Sequence, residues 1–270
     1  MSDDGAPLGG RTVVVTGASS GIGASVALEA TRRGARVAIV ARRAERLAEV
    51  LAGCTAIADR QHVMVAADLS DLDAIDGLAD QLRTALDGRI DVVINNAGVP
   101  KRRRTDELTP ADVEDVMAIN YFSPVRLTLA LLPGMLEHGD GDIVNVSSMG
   151  VHSVAFGVSA YSATKAALEL FTEGLFVELA TTGVRAHLFV PGTTLSEFST
   201  DKPGNNAPFP TDPASASTSD EVAVALLDCI QTDSFRSFTG EREATTAASR
   251  EADVNAWLER MRSVLSKRDR

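Results

Sequence analysis

Thr16-Gly-Ala-Ser-Ser-Gly-Ile-Gly23 follows the apolar run Val13-Val-Val15 and leads into Ala24-Ser-Val-Ala-Leu-Glu-Ala30. That order reads as strand, glycine turn and helix. Glycines let a backbone turn tightly and bring N–H groups close to a pyrophosphate. The helix N-terminus behind them adds partial positive charge. The spacing Gly-x-x-x-Gly-x-Gly differs from the Gly-x-Gly-x-x-Gly dinucleotide fingerprint. Taken alone, the stretch is a nucleotide-binding turn or an ordinary loop.

Outward from it the chain alternates. Short β-branched runs at residues 12–16, 36–41, 62–66, 90–95, 142–147 and 184–190 are separated by alanine- and leucine-rich helical stretches. Strands alternating with helices indicate parallel βαβ units, joined by right-handed crossovers into a doubly wound α/β sheet in one Rossmann-like domain. Residues 1–10 read as a flexible lead-in and 11–270 as the domain. Residues 199–219, rich in Pro, Ser, Thr, Asn and Gly, read as a long loop that is either disordered or functional. A helix near 219–232, a short strand near 235–239 and a final helix near 250–267 complete the expected elements.

Composition narrows the class. The 270 residues and 28.4 kDa suit one domain with a sizeable core. A net charge of −11 argues against general nucleic-acid binding. Cys54 and Cys229 suggest no disulfide framework, and the four histidines show no metal spacing. No charged start leads into an apolar leader, and no uninterrupted apolar run of bilayer-spanning length is read. A cytoplasmic protein with no membrane or nucleic-acid partner is expected.

Tyr161 and Lys165 lie four residues apart and share one helix face. A tyrosine hydroxyl titrates near ~10 unaided, and a nearby ammonium favours the phenolate. Such a pair also arises by chance, so its weight comes from the company it keeps. Thr16–Gly23, Asp68-Leu69, Asn95-Asn-Ala-Gly98, Asn120, Ile143-Val-Asn-Val-Ser-Ser148, Tyr161-Ser-Ala-Thr-Lys165 and Pro191-Gly192 occur in one order across residues 8–195. In that order and with those gaps the chain resembles the short-chain dehydrogenase/reductase family, single-domain type.

The resemblance implies an NAD(P)-dependent oxidoreductase that interconverts a carbonyl and an alcohol. Tyr161 would be the general acid or base, Lys165 its partner and a ligand of the nicotinamide ribose. Ser148, thirteen residues before Tyr161, would polarise the carbonyl, and Asn120 would hold a water leading to Lys165. Gly17, Ser19, Ser20, Gly21, Ile22 and Gly23 would cradle the pyrophosphate. Asp68 and Leu69 would meet the adenine, although Asp68 also suits a helix cap. Asn96, Ala97 and Gly98 would lie along the adenosine ribose, or simply end a strand. Pro191, Gly192 and Thr194 would contact the carboxamide. Thr194 stands where the family often has valine, which leaves the carboxamide partners open.

Cofactor choice is read after the second strand. An acidic residue there favours NAD, whereas arginines accept a 2′-phosphate. The chain has Val40-Ala-Arg-Arg-Ala44, so Arg42 and Arg43 read as a phosphate clamp or as a solvated helix start. NADP is the expected cofactor, with NAD possible. The alternatives are an NAD-linked alcohol dehydrogenase and a non-catalytic nucleotide-binding regulator on the same fold. The family further implies a substrate lid at about 193–232 and a homodimer at least, a tetramer being possible. The basic run Lys101-Arg-Arg-Arg104 reads as a solvated loop or an anion-recruiting mouth. Phe156, Phe198 and His152 are pocket candidates.

Overall fold

Strand β1 (Thr12–Thr16) is five β-branched residues, every one buried. Burial on both faces is the signature of a central parallel strand. The computed structural model, which describes residues 7–57, 60–153, 155–200, 202–209 and 211–268, places it there. The elements that follow are α1 (Gly21–Arg32), β2 (Arg36–Ala41), α2 (Ala44–Ala52), β3 (Val63–Ala66), α3 (Ile75–Ala85) and β4 (Val92–Asn95). Next come α4 (Pro110–Met117), α5 (Ser123–His138), β5 (Gly141–Val146), α6 (Met149–His152), α7 (Ser159–Glu178) and β6 (Val184–Val190). Short strands β7 (Thr194–Leu195) and β8 (Ser217–Thr218) bracket a long excursion. Helix α8 (Ser219–Cys229), β9 (Arg236–Phe238), α9 (Glu241–Ala252) and α10 (Val254–Arg268) close the chain.

Among the described residues the main sheet has seven strands in the order β3-β2-β1-β4-β5-β6-β9, each pairing parallel. Val15 pairs with Ile39 on one side and Ile94 on the other. The order reverses between β1 and β4, and a doubly wound sheet opens a crevice at the carboxyl ends of such strands. The alternating faces of β1 feed two cores. Val13 and Val15 pack with Val26 and Leu226 under α1 and α8. Val14 packs with Leu82, Leu127 and Leu175 under α3, α5 and α7.

The structure amends several expectations. Leu8, assigned to a flexible lead-in, is buried in the first core, and its N–H donates to the Arg33 carbonyl at 2.9 Å. Residues 1–6 of that lead-in lie outside the described residues. The final helix is two helices. Asp253 is extended (φ −156°, ψ 92°) and breaks the run, and its carboxylate accepts from Ala256 N at 2.9 Å to cap α10. Finally, residues Pro110–His138 run as one helical stretch, long and apolar enough by length and composition to cross a membrane. Here the stretch is part of the core: Thr128 bonds Asn95 of β4 at 3.0 Å, and Leu127 and Leu131 are buried against the sheet.

Far from the crevice, Asp142 at the start of β5 is fully buried. It forms ion pairs with Arg11 at 2.7 Å and Arg185 at 2.9 Å and a hydrogen bond with His187 at 2.7 Å. Burial opposes its ionisation, yet these donors together hold its carboxyl below the usual carboxylate range.

Candidate active site

The turn after β1 is built for close approach. Gly17 has φ +69°, and a Cβ there would lie 2.8 Å from Ala97 Cα. Gly23 opens α1 so tightly that a Cβ would meet the Gly17 carbonyl oxygen at 2.5 Å. Thr16 ties this turn to the one after β4: its hydroxyl accepts from Asn96 N at 3.1 Å and Ala97 N at 3.0 Å, and the Asn96 side chain donates back to Thr16 O at 2.9 Å. The α1 N-terminus, with Ser20, Gly21 and Ile22, faces a cavity of about 950 Å³. Every predicted site residue lines that cavity except Gly23 and Asn120, which stand just behind it.

Ser148 caps the short helix α6, its oxygen accepting from Gly150 N at 3.0 Å. Its hydroxyl also lies near enough to the Tyr161 phenol to favour the phenolate. Tyr161 and Lys165 project from adjacent turns of α7, and Lys165 donates to the Val146 carbonyl at 2.9 Å. Asn120 sits in a single π-helical turn, Ala118–Phe122, between α4 and α5. Such turns are frequent at functional sites because they turn one side chain out of helical register. Its amide donates to Val99 O and Thr164 Oγ1, both at 3.1 Å, and its oxygen accepts from Val99 N at 2.8 Å. A Cβ on Gly98 would fall 3.2 Å from Asn120 Oδ1 and 3.5 Å from Lys165 Nζ. Gly98 therefore keeps open the space where these two side chains converge.

The protonation states differ from the sequence expectation. By spacing, the Lys165 ammonium is expected to lower the Tyr161 phenol. Burial instead pushes Tyr161 up to about 12, against the nearby Ser148 hydroxyl, and the Lys165 ammonium donates to the Val146 carbonyl. Burial likewise pushes Lys165 down to about 8, with Glu169 acting in the opposite direction. At neutral pH Tyr161 is a neutral phenol and Lys165 mostly an ammonium.

At the other end of the cavity, Arg43 donates to Ser20 Oγ at 2.8 Å, to Ser19 Oγ at 3.1 Å and to Glu197 at 2.9 Å. Arg42 lines the cavity beside Asp68, whose carboxylate is held low first by the Ser70 backbone N–H and also by Arg42. Asp68 Oδ1 accepts from Ser70 N at 2.9 Å in an Asx turn that holds the residue at the cavity edge; it caps no helix, since the helical turn that follows starts after Asp71. Gly192 N donates to Thr239 at 3.2 Å, and Thr194 donates to Gly192 O at 3.0 Å.

The residues around the mouth sort differently from the reading by composition. Phe198 packs on the Tyr161 ring at 5.7 Å, as expected of a pocket aromatic. Phe209, which the sequence did not single out, packs on it at 5.2 Å. Phe156 lies outside the cavity, half-exposed beneath the Arg104 guanidinium. His152 is buried behind the wall against Glu169. The basic run is tied to its neighbours, with Arg104 exposed and Lys101 at the cavity. Lys101 and Arg103 both pair with Asp112, at 2.8 and 3.0 Å. The backbone of 102–104 is clasped by Asn205 and Asn206: Arg102 N donates to Asn205 Oδ1 at 3.0 Å, and Arg104 N to Asn206 Oδ1 at 2.8 Å. Among the described residues no cluster of His, Cys, Asp and Glu has the makings of a metal site.

A switch-point crevice with a glycine turn, a helix N-terminus and a buried Tyr–Lys–Ser–Asn set defines a dinucleotide-dependent dehydrogenase fold. Comparison with known proteins gives the family. The short chain dehydrogenase pattern matches residues 11–206, so the chain belongs to that family. It is 42% identical over 172 residues to a fatty acyl-CoA reductase of Acinetobacter baylyi, a match covering 63% of this chain and 58% of that protein. The chain thus spans less than two thirds of that relative's length. A short-chain dehydrogenase structure from Streptomyces avermitilis superposes with TM-score 0.78 at 31% identity, covering 95% of this chain and 97% of the other. One from Sphingobium yanoikuyae, in complex with NADPH, gives TM-score 0.78 at 28% identity over 94% of this chain and 95% of the other.

Proposed function

We propose that the chain is an NADP(H)-preferring oxidoreductase that reduces a carbonyl to an alcohol, with Ser148, Tyr161, Lys165 and Asn120 as its working set. The carrying observation is that Ser148, Tyr161 and Lys165 line one cavity, with Lys165 one turn beyond Tyr161 on α7. The cradle fits the cofactor: Gly17 and Gly23 leave room for no side chain, and the α1 N-terminus faces the cavity where a pyrophosphate would be held. Arg42 and Arg43 would take the 2′-phosphate, and Lys165 the nicotinamide ribose. When bound, the nicotinamide supplies the hydride.

The chain's own residues do the rest. The Ser148 and Tyr161 hydroxyls converge on one point, where a substrate carbonyl oxygen accepts from both. As negative charge develops on that oxygen, the two donors stabilise it. Tyr161 then gives up its proton, since an alkoxide is a stronger base than a phenolate, and the Lys165 ammonium offsets the charge left on the ring. Asn120, anchored on Val99 and Thr164, orders the path toward Lys165 along which a proton returns. Phe198 and Phe209 favour a carbonyl compound with an apolar arm. The segment 193–232 that carries them acts as the lid over the substrate. A cytoplasmic homodimer completes the reading.

Tyr161→Phe tests it, because it keeps the ring and removes the proton. Turnover with an NADPH-reducible ketone or aldehyde is expected to fall at least ~10²-fold, the scale of general acid catalysis, with NADPH binding retained. Turnover within a few-fold of wild type overturns the assignment.

A further inference from the structure

Behind the catalytic helix lies a buried polar cluster that this reaction does not yet use. Glu169 sits one turn beyond Lys165 on α7, on the same face, and is only 6% exposed. A buried carboxylate is costly unless its oxygens are bonded. One of them is: Glu169 Oε1 accepts from the Ser147 hydroxyl and lies 3.1 Å from His152 Nε2. All three side chains are buried. Their positions are informative. Ser147 joins Val146, whose carbonyl holds Lys165, to Ser148, which faces Tyr161. His152 ends α6, the helix that Ser148 caps, and its ring packs edge-on against Phe238 at 6.1 Å. One carboxylate therefore touches the segment that presents Ser148 at both ends and lies one turn from the catalytic lysine.

We propose that Glu169 is a positioning residue of the active site: it keeps Lys165 in its ammonium form and, through Ser147 and His152, seats the β5–α6 turn that presents Ser148. The proposal rests on the role assigned to Lys165 above. Burial pulls Lys165 down to about 8, and the nearby Glu169 charge acts against that pull. Without it, a smaller share of Lys165 would be ammonium at neutral pH. The other charged or titratable groups around the cluster are the Tyr161 phenol on α7, His152 on α6, Arg236 on β9, and Glu243, Arg250 and Glu251 on α9. Arg236 and Glu251 pair with each other at 2.7 Å, and Glu243 lies against Gly192. Glu169 is thus the carboxylate acting directly on Lys165.

Glu169→Gln removes the charge and keeps an oxygen to accept from Ser147. The chain has four lysines, so ¹³C-lysine labelling with a Lys165→Arg spectrum for assignment isolates the Lys165 signal. In Glu169→Gln its titration is expected to move to lower pH by about one unit, the size of a near opposite charge. The alkaline limb of kcat should move down with it. Glu169→Asp, which restores the charge, should bring both part of the way back. A Lys165 titration unmoved in folded Glu169→Gln overturns the proposal, even if activity falls. If that variant does not fold, Glu169→Asp decides. Its carboxylate sits one methylene further from Lys165, so the Lys165 titration is expected below the wild-type position. An unmoved titration overturns the proposal. Full activity in Lys165→Met would instead refute the lysine's role and leave the Glu169–Lys165 coupling standing.

Discussion

Arg43 shows how one side chain can be both a ligand candidate and a structural tie. Its donors are engaged by Ser19, Ser20 and Glu197, so a 2′-phosphate there competes with a carboxylate of the excursion after β7. Both partners of that pair are about half-exposed, and exposed pairs contribute only about 0.2–1 kcal/mol. Glu197→Gln is therefore expected to tighten NADP binding by roughly 1.5- to 5-fold and leave NAD binding unchanged. A fluorescence titration with each cofactor reads this; equal gains for both would mean that Glu197 acts through the loop instead of the charge. Arg42→Asp acts in the opposite sense: loss of a charge-assisted bond predicts a roughly ten- to hundredfold loss of NADP affinity. Asp142 is the contrasting case, a charge with a structural task. Its folded carboxyl titrates below its unfolded value, so its contribution is present above pH ~4 and is lost as pH falls through the lower folded value. Asp142→Asn should cost roughly 3 kcal/mol at pH 7, the low end for a buried pair because Arg11 and Arg185 are partly exposed. Urea midpoints measured from pH 7 down to pH 2 should converge for the two proteins. Parallel curves would place the cost elsewhere.

At the scale of elements, the β1–α1 unit was the most legible part of the chain, because its determinants are local. β-branched residues, then glycines at the turn, then a helix lie in consecutive sequence, and each demands the same geometry. Gly23→Ala tests how tightly that turn is drawn. The new Cβ would sit 2.5 Å from a backbone oxygen that no rotamer change can move aside. Overpacking of this kind costs ~1–3 kcal/mol. Strain released by opening the turn should weaken NADP binding about tenfold or more, with circular dichroism unchanged; wild-type affinity would show that the turn is looser than drawn. Other elements were illegible for physical reasons. The clasp of Asn205 and Asn206 on 102–104 joins side chains to backbone about a hundred residues away, and no periodicity announces it. Glu169 reads in sequence like any solvated helix glutamate, and only the tertiary contacts with Ser147 and His152 reveal it. The break at Asp253 hides in a polar run that suits a helix on both sides.

The whole molecule carries one surface that a lone subunit leaves unexplained. Leu129 and Leu136 on α5 lie two turns apart, as do Leu170 and Val177 on α7. Leu129, Leu170 and Val177 are 55%, 67% and 72% exposed. Both helices bury their opposite faces against the sheet, so these are second apolar stripes, which require a second packing partner. A two-fold axis across α5 and α7 would pair each stripe with itself. The other end of the sheet is already occupied. β9 is the edge strand, Arg236 on it pairs with Glu251 of α9 at 2.7 and 3.1 Å, and Phe235 beside it stacks on Phe176 at 4.9 Å. A tail fastened there obstructs a second contact through that edge. Light scattering on dilute protein should therefore give twice the 28.4 kDa chain mass. Leu170→Asp with Val177→Asp should reduce it to the chain mass, because burying two carboxylates in an apolar contact is costly unless they are paired. A wild-type monomer would refute the α5–α7 contact. A tetramer would show that the tail leaves the β9 edge open to a second pairing.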